Sequence, residues 1–203
     1  MKLASKEAGM IDLFMILGAY LLGGMSTGYY LVKLWRQEDV RNQGSGATGA
    51  TNTGRVLGKK GFLLTLMGDA LKGALVPALS MLLNLSLTTL ILCLIAGVAG
   101  HIWPLQLGLR GGKGVAPALG GILVVDPMLA SAAAGVFLFA FALTRQFTLS
   151  GLAAILGIPI LSLIMARPIE QSAGLAVLAI LILLAHRKNI RAMLSNKSSQ
   201  RRR

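Results

Sequence analysis

The chain has 203 residues, a mean hydropathy of +0.71 and only 13% charged residues, about half the share of an ordinary soluble domain. That excludes an ordinary soluble enzyme, a disordered chain and a nucleic-acid-binding domain working in water, although 20 Lys and Arg against 7 Asp and Glu leave the net charge at +13. What remains is an all-α, polytopic integral membrane protein, because the apolar runs are continuous, whereas the strands of a membrane barrel alternate apolar and polar residues.

In chain order, a first span is predicted from Met10 to Val32; Lys2 and Lys6 precede it with no clean cleavage site after it, so it reads as a retained helix. A polar segment runs from Lys33 to Lys60. A second span covers Gly61 to Leu83 and a third Leu85 to Trp103, with the lone cysteine, Cys93, inside it. After a glycine-rich loop from Pro104 to Gly114, Val115 to Val125 makes a short fourth span, closed by the turn signal Asp126-Pro127. Met128 to Leu143 is the fifth. Arg145 to Thr148 is a polar break, the sixth span ends near Met165, and the seventh runs from the Arg167-Pro168 turn to about Ala185. His186 to Arg203 forms a basic tail on what reads as one domain, residues 1–203.

Seven spans put the termini on opposite sides. Sorted this way, sixteen of the twenty Lys and Arg fall on the side of the tail and of the segment 33–60. Lys2, Lys6 and Arg167 fall on the other side, and Lys72 lies inside a span. Cytoplasmic loops collect basic residues, so the N-terminus is expected outside and the tail in the cytoplasm.

The polar breaks on the basic side carry the candidate chemistry. The first holds Arg41, Gly44, Ser45, Gly46, Thr51, Asn52 and Arg55. Its glycines let backbone amides form anion-binding concavities, and its arginines supply forked donors suited to phosphate. A flexible, routinely basic loop explains the composition equally well. The second break, Gly111-Gly112-Lys113-Gly114, leads straight into a helix, where glycines and a lysine make a phosphate cradle. It lacks the spacing of a nucleotide-binding P-loop; the plain alternative is a tight turn. Asp69 and Lys72 stand three apart on one helix face and read as a structural ion pair or support for a site. His186 and Asn189 are also three apart, at the basic-side end of the last span. His101 is explained by a hydrogen bond near a helix end. Nothing has metal-ligand spacing. Read from the residues alone, this is a membrane protein with a cluster of anion binders facing the cytoplasm.

The segments G-S-G-A-T-G-A-T-N-T-G-R-V-L-G-K-K (44–60), D-A-L-K-G (69–73), G-H-I-W-P (100–104), G-G-K-G-V-A-P-A-L-G (111–120) and H-R-K-N-I (186–190) follow one another in that order. Together they resemble the bacterial acyl-phosphate-dependent glycerol-3-phosphate acyltransferases, the PlsY family, over essentially the whole chain. The resemblance implies seven spans in the bacterial cytoplasmic membrane, an outside N-terminus and a cytoplasmic site. It implies transfer of a fatty acyl group from acyl phosphate to the 1-hydroxyl of glycerol 3-phosphate, giving lysophosphatidic acid and phosphate for phospholipid synthesis. No cofactor or metal is implied, and a monomer in membrane lipid is expected.

Carried over by position, the family's essential residues fall on Ser45, Arg55, Lys113, His186 and Asn189. The family's phosphate loop falls on Gly111, Gly112, Lys113 and Gly114; Arg41, Gly44, Gly46, Thr51 and Asn52, with Arg145, Thr148 and Ser150 around the break after the fifth span, are added as candidate phosphate binders. The chain departs from the family pattern at Ala47 (usually Asn), Pro117 (usually Thr), Gly151 (usually Ser) and Lys188 (usually Glu). Two other classes stay open at this point: a transporter of a phosphorylated metabolite, and a catalytically silent lipid- or partner-binding paralogue.

Overall fold

The computed structural model describes the backbone of residues 2–200 and the side chains of residues 9–191. Lys2, Lys6, Lys197 and Arg201 to Arg203, used above to sort the charges, lie outside the described side chains. The described chain is all helical: α1 (Lys2–Gly24), α2 (Thr27–Arg36), α3 (Ala50–Leu82), α4 (Leu87–Ile102), α5 (Val115–Val125), α6 (Pro127–Thr144), α7 (Phe147–Ile164) and α8 (Ile169–Gln200). Six segments are long and apolar enough to cross a membrane, the first of them running through α1 and α2; α5 is the shorter apolar helix.

The expected first span is therefore interrupted. At the break, Met25 turns its carbonyl to the Lys72 ammonium at 2.8 Å, and just before it Gly23 lies so close to α4 that a Cβ would collide with the Gly97 carbonyl. The second span also begins earlier than its apolar run suggests. Helix α3 starts at Ala50 and bends sharply at Gly58 (φ 70°, ψ −164°), a backbone conformation open to glycine and costly for other residues. The start of the basic tail is helical, because α8 continues through Arg187 and Lys188.

Helix α5 has 11 residues, a rise of about 16 Å, against about 30 Å for a hydrocarbon core. It nevertheless links the two ends of the bundle. Lys113, just before it, donates to Asn189 Oδ1 of α8 at 2.9 Å. Asp126, just after it, accepts from Gln171 of the same helix at 3.1 Å and pairs with Arg167 at 2.7 Å. Residues 171 and 189 of α8 are about 27 Å apart along the helix axis, so α5 with its flanks covers what α8 covers in eighteen residues. At the Asp126 end burial opposes ionisation, but donors from Leu129, Gln171 and Arg167 still hold the carboxyl below the usual carboxylate range.

Small residues make this crossing possible, as is common where helices pack in lipid. On α3, Gly73 meets the Pro117 backbone, and on α5, Gly120 meets the Ala70 backbone; a Cβ at either would clash. The core of Leu94, Val98, Ile122, Leu129, Ile158 and Ile182 joins α4 to α8. Phe14, Met67, Phe139 and Ile164 are between 66% and 74% exposed and form part of a lipid-facing belt.

Candidate active site

The loop between α2 and α3 is organised by one side chain. Asn52, 2% exposed, points its Nδ2 at the carbonyls of Val40, Gln43 and Ala47 (2.9–3.1 Å) and accepts the Ser45 N–H on Oδ1 at 2.9 Å. Gly44 (φ 53°) and Gly46 (φ 70°) supply the left-handed turns that let the chain wrap around it. Arg41 is committed to the same framework. Its guanidinium holds Asp39 through Nε (2.9 Å) and Nη2 (2.6 Å), donates to Leu107 O at 2.6 Å and lies 5.1 Å over the Tyr29 ring. Its hydrogen bond to Asp39 holds that carboxyl below its ordinary range.

The Gly111–Gly114 segment sits beside this loop, with the Gly111 carbonyl accepting from Thr48 N at 3.3 Å. The N–H groups of Gly111 and Gly112 do not form the cradle expected of them, because they donate to Ile102 O (3.2 Å) and His101 O (3.0 Å). Their need for glycine is steric: a Cβ at 111 would meet the His101 carbonyl, and one at 112 the His101 ring. Lys113 is the side chain this wrapping delivers. Burial, and next the Arg55 charge, push its ammonium below the ordinary lysine range. Gly114 caps α5 with φ 83°, and the first-turn N–H groups of that helix have no intrahelical acceptor.

These elements enclose a cavity of about 220 Å³. Ser45, Thr51, Asn52, Arg55, Lys113, Gly114, Thr148, His186 and Asn189 line it, so the nucleus of the expected site comes together from four separate stretches of chain. The His186 Nδ1 sits 2.8 Å from the Ile182 carbonyl. A carbonyl only accepts, so the proton is on Nδ1 and the neutral ring's Nε2 is an acceptor.

Other expected residues stand outside the lining. Arg41, Gly44, Gly46, Gly111 and Gly112 are framework, as described. Arg145 caps α6 in a left-handed conformation (φ 54°). Ser150 is fully buried and donates to Gln146 O at 2.9 Å, while Gly151 takes its place at the wall.

The site also has an apolar side that the sequence reading did not single out. Phe62 and Leu66 of α3, Val115 and Leu119 of α5, and Phe147 and Leu152 of α7 line it. Leu66, Leu119 and Phe147 are 36%, 39% and 58% exposed, so they belong to the lipid-facing surface as well. At the inner end stand Asp69 and His101, 1% and 2% exposed. Among the described residues, no three His, Cys, Asp or Glu side chains cluster as a metal site.

With this geometry in place, comparison with known proteins is decisive. The model of the glycerol-3-phosphate acyltransferase family matches residues 13–196. The chain belongs to that family. Glycerol-3-phosphate acyltransferase 1 of Desulfitobacterium hafniense (strain Y51) is 95% identical over 203 residues, covering 100% of both chains. The crystal structure of PlsY, an integral membrane glycerol 3-phosphate acyltransferase, in its glycerol 3-phosphate form matches with a TM-score of 0.85 and 34% identity, covering 91% of this chain and 92% of that one. Its lysophosphatidic acid form matches with a TM-score of 0.83 and 33% identity, with the same coverage. For this acyltransferase family member, the polytopic helical architecture and the family expected from the sequence are thereby established.

Proposed function

We propose that the chain transfers an acyl group from acyl phosphate to the 1-hydroxyl of sn-glycerol 3-phosphate, releasing phosphate and lysophosphatidic acid at the cytoplasmic face of the bacterial inner membrane. The observation that carries this reading is a single cavity lined both by Arg55 and Lys113 and by apolar side chains that also belong to the lipid-facing surface. Both substrates carry phosphate and would repel each other, so a site that holds them together needs cations. The donor also carries a fatty chain, for which Leu66, Leu119 and Phe147 give a path in from the bilayer.

Acyl phosphate is already an activated mixed anhydride, so the protein's task is chiefly orientation and charge stabilisation. The 1-hydroxyl oxygen bonds to the acyl carbonyl carbon, the bond from that carbon to the phosphate oxygen breaks, and the hydroxyl proton leaves. Arg55 and Lys113 stabilise the departing phosphate. The hydroxyl carries a single proton with two alternative acceptors, the His186 Nε2 or a phosphate oxygen of bound substrate, the second being the one the family resemblance favours. Asn189 holds Lys113 in place, and Ser45 adds a hydroxyl donor.

The test is the purified protein in detergent with acyl phosphate and glycerol 3-phosphate, following phosphate and lysophosphatidic acid. Turnover is expected without added metal and in the presence of EDTA. Equal activity with acyl-CoA, or a strict metal requirement, would count against the donor assignment. Orientation is tested separately. A cysteine probe at Gln43 should be labelled only from the cytoplasm and one at Lys6 only from outside; the reverse pattern would put the site on the wrong side for an intracellular acyl phosphate.

A further inference from the structure

At the inner end of the cavity three buried groups on two helices share one hydrogen-bond centre. The Lys72 Nζ lies 2.9 Å from Asp69 Oδ1, 2.8 Å from Met25 O and 2.9 Å from His101 Nδ1. An ammonium has three N–H donors and no acceptor, and here it meets three acceptors. The carboxylate and the carbonyl can only accept. If Lys72 is an ammonium, as its contact with the Asp69 carboxylate favours, Nδ1 of His101 must accept too. The ring proton is then on Nε2, the ring atom that faces Gly112, and His101 is one of the residues lining the cavity. Asp69 borders the same place; its Oδ1 is taken by Lys72 and, at 3.4 Å, by the Thr27 N–H, while its Oδ2 has no hydrogen-bond partner among the described residues.

We infer that His101 is a substrate-facing hydrogen-bond donor for a hydroxyl of the glycerol moiety, with Asp69 Oδ2 as the matching acceptor and Lys72 as the residue that fixes the tautomer. A hydroxyl both accepts and donates, so an N–H beside a carboxylate oxygen is its complement. A phosphate oxygen, in contrast, is repelled by Asp69 and belongs with Arg55 and Lys113. This end of the cavity therefore sets which part of the acceptor points inward. The inference rests on the proposed acyl transfer in this cavity, and extends it to a donor that the family motifs, as carried over above, do not assign.

Two substitutions separate this role from a structural one, because they keep different nitrogens. His101→Gln can place an amide N–H where Nε2 stands; His101→Asn can place an oxygen where Nδ1 accepts from Lys72. A substrate-facing donor predicts that kcat/KM for glycerol 3-phosphate falls about ten- to hundredfold in His101→Asn and only severalfold in His101→Gln. The opposite order would overturn the inference. The chain has only two histidines, so 15N-histidine labelling of the wild-type protein in detergent gives a second readout that needs no variant to fold. Opposite tautomers are expected, Nδ1–H for His186 and Nε2–H for His101. Glycerol 3-phosphate should shift the Nε2–H signal, and inorganic phosphate alone should not. An Nδ1–H tautomer at His101, no shift with glycerol 3-phosphate, or the same shift with inorganic phosphate would each overturn it. Absent turnover by the wild-type protein would instead sink the parent reading, whereas normal turnover with an unaffected His101→Asn would sink this inference alone.

Discussion

Lys113→Ala is expected to lower acyl transfer by at least about a hundredfold while leaving the protein inserted and folded. The side chain stands before α5, partly buried, and reaches Asn189 across the cavity mouth. Its removal deletes a preorganised cation without opening the core. One such donor to developing negative charge is typically worth about 3–4 kcal/mol in the transition state. Lys113→Arg should restore only part of the rate, since a planar fork does not replace a compact ammonium held beside two glycines. The wild-type rate should also fall on the alkaline side earlier than an ordinary lysine dictates, because burial and Arg55 both favour the neutral amine; Lys113→Arg should remove that limb. Steady-state kinetics against glycerol 3-phosphate over a pH series checks both, and near-normal turnover by Lys113→Ala would reduce the glycine segment to a turn.

The second large effect is on stability. Asp69→Leu should destabilise the protein by roughly 3–5 kcal/mol, because it leaves the Lys72 ammonium buried without its counter-charge. Asp69 is 1% exposed and Lys72 7%, so water cannot take over. The double variant Asp69→Leu/Lys72→Met should recover most of the thermal stability in detergent, since an apolar pair of similar size costs little where an unpaired charge costs much. It should not recover activity, because the group that fixes His101 is gone. A single variant as stable as the wild type would mean that the pair is solvated or already neutral.

Much of the architecture was legible because a bilayer leaves few options for an apolar run: six of the seven expected spans fall on segments long and apolar enough to cross, and α5 is the short one. The interruptions were not. Nothing in the local pattern around Gly58 marks the bend in α3, which is a property of one backbone conformation. At the site, Asp69 and Lys72 could be paired from their spacing on one helix. The third member of that cluster, His101, is 29 residues further along, and only the packing of α3 on α4 brings it in. Arg41 shows the converse. An arginine in a glycine-rich loop reads as a phosphate ligand, yet Asp39, two residues before it, claims the guanidinium first. The apolar wall was invisible for a simpler reason: where more than half the residues are apolar, Phe62 and Phe147 offer no contrast.

The shortness of α5 has a consequence for how lipid meets the reaction. Along its axis Gly114 lies only about 18 Å from Asp126, less than the thickness of the hydrocarbon layer. Leu119 and Leu123, 39% and 56% exposed, present that short stretch to the surrounding chains. A stretch shorter than the hydrocarbon layer is met by local thinning of the bilayer or by polar groups drawn toward it, at a modest cost. If the proposed transfer holds, a fatty donor need not be lifted out of its leaflet to bring its carbonyl to Lys113, which stands at the end of this short helix. On that reading the new ester would form with its tail already among its neighbours, and its release would be a sideways step into the membrane.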